Sequence, residues 1–123
     1  MADFRKLRVW QKANELSVAT ALAVEGIRGV SASILRGQLL RATFSIQANI
    51  AEGSAKRSDR EFARFVRIAL GSSSEAANHL ILLTSLGAID DAVFAALDTK
   101  LDEVGRMLSG LEKRLTAPPS DPS

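Results

Sequence analysis

The sequence predicts an all-α fold, an antiparallel up-down four-helix bundle, and three observations carry that prediction. Phe94, Leu97, Leu101, Val104, Leu108, Leu111 and Leu115 alternate spacings of three and four, the seam of a helix packed alongside another. All three prolines lie in the last six residues, so none interrupts a helix before them. No Asn-Gly or Asp-Gly turn separates alternating apolar runs, so nothing calls for a hairpin. At 123 residues and 46% hydrophobic content, the chain suffices for one domain with a buried core.

The first helix is expected from about Phe4 to Ile27, with Asp3 as N-cap and Gly26 and Gly29 near its end. Val9, Ala13, Leu16, Thr20, Ala23 and Ile27 form its seam, and Trp10 lies off it. The second helix is expected from Ser31 or Ala32 to Glu52, where Gly53 is a natural stop before a short basic connection. Ser58 and Glu61 make a capping box for the third. Gly71–Glu75, reading GSSSE, invites a break there, yet Phe62, Phe65, Val66 and Ala69 share a helical face with Ala76, Leu80 and Leu83. One long helix to about Leu86 is therefore predicted. Its Gly71 and serines are expected to admit a neighbouring backbone, with the hydroxyls bonding their own helix. The fourth helix starts at Asp90 or Asp91 and ends at Pro118 and Pro119. The domain is thus read as 1–117, with a disordered tail at 118–123.

Helix two carries more apolar surface than one core needs. Leu35, Leu39, Ala42, Ile46 and Ile50 make one stripe, and Leu40, Phe44, Ala48 and Ala51 make another well round the wheel. A broad core face would cover both within one chain. A subunit interface would cover the second from outside, and Trp10 adds to that reading, so a homo-oligomer is predicted. Between the stripes lie Arg41, Ser45, Asn49 and Glu52. They form a polar seam expected to bond across helices or subunits, with Arg64 or Arg67 as partners for Glu52.

Charge is distributed unevenly. Residues 1–67 hold twelve Lys and Arg against six Asp and Glu, whereas residues 68–123 hold four against eight. Arg57, Arg60, Arg64 and Arg67, spaced 3, 4, 3, fall on one side of helix three and suit phosphate contacts. The plainer reading is a solvated face with local pairs to Asp59 or Glu61. Further positive charge from Lys56, Arg5, Lys6, Arg8 and Lys12 favours a polyanion.

Several chemistries lack their parts. There is no cysteine, and His79 is the only histidine, so no thiolate site, disulfide or multi-histidine metal site is expected. Glu75 and His79, four apart, read as a surface pair. The serines at 72–74 have no adjacent base, and no phosphate-binding glycine loop occurs. A non-enzymatic protein without cofactors is expected. No apolar run reaches membrane-span length and no signal-peptide pattern opens the chain, which points to the cytoplasm.

Gln38–Gly53, reading QLLRATFSIQANIAEG, and Arg57–Ile89, with RSDREFARFVRIALGSSSE at its head, resemble the four-helix bundle family associated with intervening sequences of bacterial large-subunit ribosomal RNA genes. Phe4–Ala13, FRKLRVWQKA, matches the family's opening. The resemblance implies a ring-shaped homopentamer. It also implies kinship with the accessory variability determinant of diversity-generating retroelements, a basic pentameric bundle that binds reverse transcriptase and RNA. Family members often carry Phe-Pro before helix two, Arg at the position of Leu40 and Pro at that of Gln47, and this chain departs at all three. The expected function is RNA or nucleic-acid binding through Lys56, Arg57, Arg60, Arg64, Arg67, Arg8 and Lys12. The alternative is a protein-interaction scaffold with an incidental basic face.

Overall fold

The computed structural model describes residues 3–118. The expected tail therefore lies, Pro118 apart, outside the described residues. Four α-helices follow a short 3-10 turn at Phe4–Lys6: α1 (Arg8–Val24), α2 (Val30–Ser54), α3 (Asp59–Ser85) and α4 (Asp91–Thr116). Among the described residues there is no strand. Each helix packs on two others, α1 on α2 and α4, and α3 on α2 and α4, with no contact across either diagonal. Short connections make neighbours antiparallel. No helix among the described residues is long and apolar enough to cross a membrane.

The core is built from the predicted stripes. Val9, Ala13 and Leu16 of α1 meet Leu39, Ala42, Ile46 and Ile50 of α2, Val66, Ala69, Ala76, Leu80 and Leu83 of α3, and Leu97, Leu101, Val104 and Leu108 of α4. Each Leu or Ile buried there contributes about 2 kcal/mol. On α1 the stripe ends on Val24, fully buried, while Ala23 is exposed. Over several turns the 100° advance per residue carries a straight stripe off a strict 3–4 alternation.

Helix one does not start at Phe4. Leu7 is extended (φ −73°, ψ 125°), so the 3-10 turn is a separate element that packs on α1 and α2 and makes no contact with α4. Asp3 caps that turn, accepting from the Arg5 backbone N–H at 3.0 Å and pairing with its guanidinium at 2.9 Å. The Arg5 side chain, then the Arg5 backbone N–H, hold the Asp3 carboxyl below its ordinary range. Trp10, expected as an exposed group, is half-buried with its ring edge-to-face on Phe4, centroids 5.1 Å apart.

Two glycine expectations are corrected. Gly53 does not stop α2, which runs on to Ser54. A Cβ there would sit 2.7 Å from the Phe65 Cβ and 2.9 Å from Phe62 Cδ1, so the glycine exists to let α3 close on α2. Gly71, by contrast, has open space around it and admits no neighbour. Helix α3 runs unbroken through the serines, and Ser72 bonds across to α2 rather than to its own helix. At the α1–α2 connection Gly29 takes φ +96°, a left-handed conformation that side chains resist, and Arg36 ties the loop by donating to the Ile27 carbonyl at 2.9 Å. Ser58 and Asp90 cap α3 and α4 by accepting from the backbone N–H of Glu61 and Val93.

Candidate nucleic-acid interface

The basic residues converge because of the topology. Since neighbours are antiparallel, the start of α1, the α2–α3 connection and the end of α4 share one end of the bundle. If each helix is divided at its middle, that end carries twelve Lys and Arg against six Asp and Glu among the described residues. The opposite end carries four against seven. The polarity read along the chain becomes a polarity in space.

Arg60, Arg64 and Arg67 lie on the outer side of α3 and are exposed. Arg57 precedes the Ser58 cap, so it extends the row from the connection rather than from the helix, alongside exposed Lys56. None of these five forms an ion pair with a described residue, and the local pairs to Asp59 and Glu61 are absent. The Phe65 ring gathers two of them, with Lys56 Nζ 5.1 Å and the Arg64 guanidinium carbon 4.7 Å from its centroid. Such contacts contribute about 0.5–1 kcal/mol at exposed sites and leave the charge available.

Arg8 and Lys12 are not part of this row. They belong to α1, which does not touch α3. Lys12 is engaged by Glu15 at 3.4 Å and by Glu103 of α4 at 3.7 Å. Glu52 is exposed and forms neither of the expected pairs with Arg64 and Arg67. An exposed carboxylate keeps its water, so no partner is required.

The polar seam of α2 divides in the structure. Ser45 Oγ lies 2.9 Å from Ser72 Oγ of α3, and Asn49 Nδ2 donates to the Ser45 hydroxyl at 3.0 Å and its carbonyl at 2.8 Å. Only the Ser45–Ser72 bond crosses the α2–α3 contact, and Asn49 braces Ser45 from within α2. Arg41 instead points to solvent. With Val30, Ile34, Gly37, Phe44 and Ala48, at spacings alternating four and three, it makes an outward face on which all six residues are exposed. Of the second stripe read in the sequence, Phe44 and Ala48 belong to this face, and Leu40 and Ala51 are half-buried at its edge. Beside it, Trp10, Val18 and Ala21 of α1 join Phe44, Ala48 and Ala51 in lining an apolar groove of about 520 Å³.

His79 approaches Glu75 at 3.7 Å, and both its ring nitrogens are buried without a hydrogen-bond partner. No group of three His, Cys, Asp or Glu able to hold a metal occurs among the described residues.

Four antiparallel helices with a cationic row at one end and an uncovered apolar face define a small helical bundle with two outward-looking surfaces. The chain belongs to the 23S rRNA-intervening sequence protein family, whose model matches residues 5–110. It is similar to a crystal structure from Bacteroides thetaiotaomicron, a protein of unknown function from the S23 ribosomal protein family. That match is 25% identical, with a TM-score of 0.78 over 85% of this chain and 98% of that one. No functionally curated protein matches the chain.

Proposed function

We propose that the chain is a non-catalytic, self-associating bundle that binds RNA through phosphate contacts from Lys56, Arg57, Arg60, Arg64 and Arg67. One observation carries the reading: five exposed cations clustered at the α2–α3 connection and along α3, none neutralised by an ion pair with a described residue. Guanidiniums spaced along a helix track a phosphate backbone without reading bases. The family's name, which ties it to intervening sequences of 23S rRNA, favours RNA as the polyanion. The outward face of α2, a seam with coiled-coil spacing that no described residue covers, supports self-association. A ring of five, repeating the cationic row by symmetry, is the assembly proposed. A role in the cytoplasm beside a protein such as a reverse transcriptase rests on the resemblance to retroelement accessory bundles.

The scaffold reading draws on the apolar groove between α1 and α2. RNA titration at 50 and 200 mM salt separates the two. Phosphate contacts predict that affinity falls by about a hundredfold or more over that range for several neutralised phosphates. Arg60→Glu with Arg64→Glu should abolish most binding without changing helix content. Absence of binding at 50 mM salt, or binding that survives the charge reversals, leaves the scaffold reading standing.

A further inference from the structure

Where α1 begins, the bundle is missing a wall. The extended backbone at Leu7 turns the chain toward α2, and the 3-10 turn that precedes it makes no contact with α4. Beside the last turns of α4 only the very start of α1 stands on that side, and a cleft of about 460 Å³ opens between them. Its floor is aliphatic, made by Leu7 just before α1, by Val9 of α1 and by Met107 and Leu111 from α4. Val9 is buried and the other three are half-buried, so the floor offers apolar surface still open to a ligand.

Around that floor stand three exposed guanidiniums, Arg8, Arg106 and Arg114, and no carboxylate lines the cleft. Arg106 pairs with exposed Asp102 at 2.7 Å, a weak surface contact that a partner carboxylate would have to share or displace. Arg8 and Arg114 form no ion pair with a described residue. The Arg114 side chain folds back over Gly110, its Nη1 3.7 Å from where a Cβ would stand. Those two arginines are eight residues apart, about 12 Å along the helix axis.

We propose that this cleft docks an acidic amphipathic helix of a protein partner, apolar side chains on the floor and carboxylates on the arginines. The chemistry differs from that of the α3 row. Phosphate-tracking cations need no apolar floor, and this floor has no aromatic ring on which a base would stack. An aliphatic groove that includes a methionine adapts to Leu, Ile or Phe anchors, and flanking arginines pair with carboxylates in two-pronged geometry. The axial spacing of Arg106 and Arg114 matches partner carboxylates about eight residues apart on a helix lying along α4.

The test uses fluorescein-labelled helical peptides of eighteen residues, each with two Leu anchors and a pair of Glu set four, eight or twelve residues apart, read by anisotropy against the full chain at 50 mM salt. The eight-residue spacing should bind tightest. Arg8→Glu with Arg114→Glu should weaken it by about tenfold or more, while Arg60→Glu with Arg64→Glu leaves it unchanged. Met107→Glu, checked for retained helix content, should weaken it independently of the arginines. No binding by any peptide, or affinity indifferent to Glu spacing, overturns the proposal. Stoichiometric displacement of the peptide by an RNA oligonucleotide also overturns it, since the cleft would then be part of the nucleic-acid surface. A fall in the chain's solution mass on peptide binding does so too, because the natural occupant would be a second copy. Failure of RNA binding at the α3 row leaves the result unaffected.

Discussion

Helix α2 faces two neighbours, and the two contacts are built differently. Toward α3 it presents Gly53, Ser45 and Asn49, and α3 answers with Phe62, Phe65 and Ser72 close against it. Toward α1, Ser17 donates to the Thr43 carbonyl at 3.3 Å and Gln47 to Asn14 at 3.3 Å, yet Phe44 beyond them remains 48% exposed. Small residues bring two backbones together and leave nothing outside the contact. Large residues placed just past the contact leave an apolar surface looking for a partner. The first side of α2 closes its packing within the chain; the second leaves apolar surface exposed, which is the surface proposed for assembly.

The difference between the two sides is challenged most forcefully at Gly53. Alanine at a helix-interior glycine usually stabilises by about 0.5–1 kcal/mol. Here the added Cβ meets the Phe65 Cβ at 2.7 Å, between two packed helices. Gly53→Ala should therefore cost about 2 kcal/mol in urea denaturation, and a gain in stability would show that the α2–α3 contact is looser than described. Ser45→Ala removes the hydroxyl that serves both Ser72 and Asn49. It should cost about 1 kcal/mol, and a double-mutant cycle with Ser72→Ala should give less than the sum of the single losses. On the other side, Phe44→Glu should shift monomer stability by no more than about 0.5 kcal/mol while lowering the mass of any assembly.

The smallest effect belongs to the turn that opens the α4 cleft. Arg5 holds the Asp3 carboxyl below its ordinary range, so this tether is fully present above that range and is lost as pH falls through the depressed value. Trp10, the only tryptophan, packs on Phe4 of the same turn and reports its release. Acid titration should change its fluorescence below the usual carboxylate range while the α-helical signal persists, and Asp3→Asn should remove that step.

Periodicity made the helices legible in the sequence. The seam from Phe94 to Leu115 and the phase kept across GSSSE gave α4 and an unbroken α3, because burial of a stripe is a property of sequence spacing. Backbone detail was less accessible. Gly53 looks like a stop in sequence, since a glycine that ends a helix and one that admits a neighbour are the same residue; only the position of Phe62 and Phe65 distinguishes them. The break at Leu7 carries no proline or glycine signal, so the cleft it opens was hidden. The arginine row was visible as spacing. Its freedom from Asp59, Glu61 and Glu52 depends on side-chain geometry that spacing leaves open. Arg8 and Lys12 share the row's end of the bundle but sit on α1, which does not touch α3.

Light scattering at micromolar concentration asks directly whether the outward face of α2 is a contact surface between copies of this chain. The expected mass is several times 13.2 kDa, five times for the proposed ring, and it should fall to 13.2 kDa in Phe44→Glu with helix content retained. A wild-type mass of 13.2 kDa would contradict the assignment of that face to self-association.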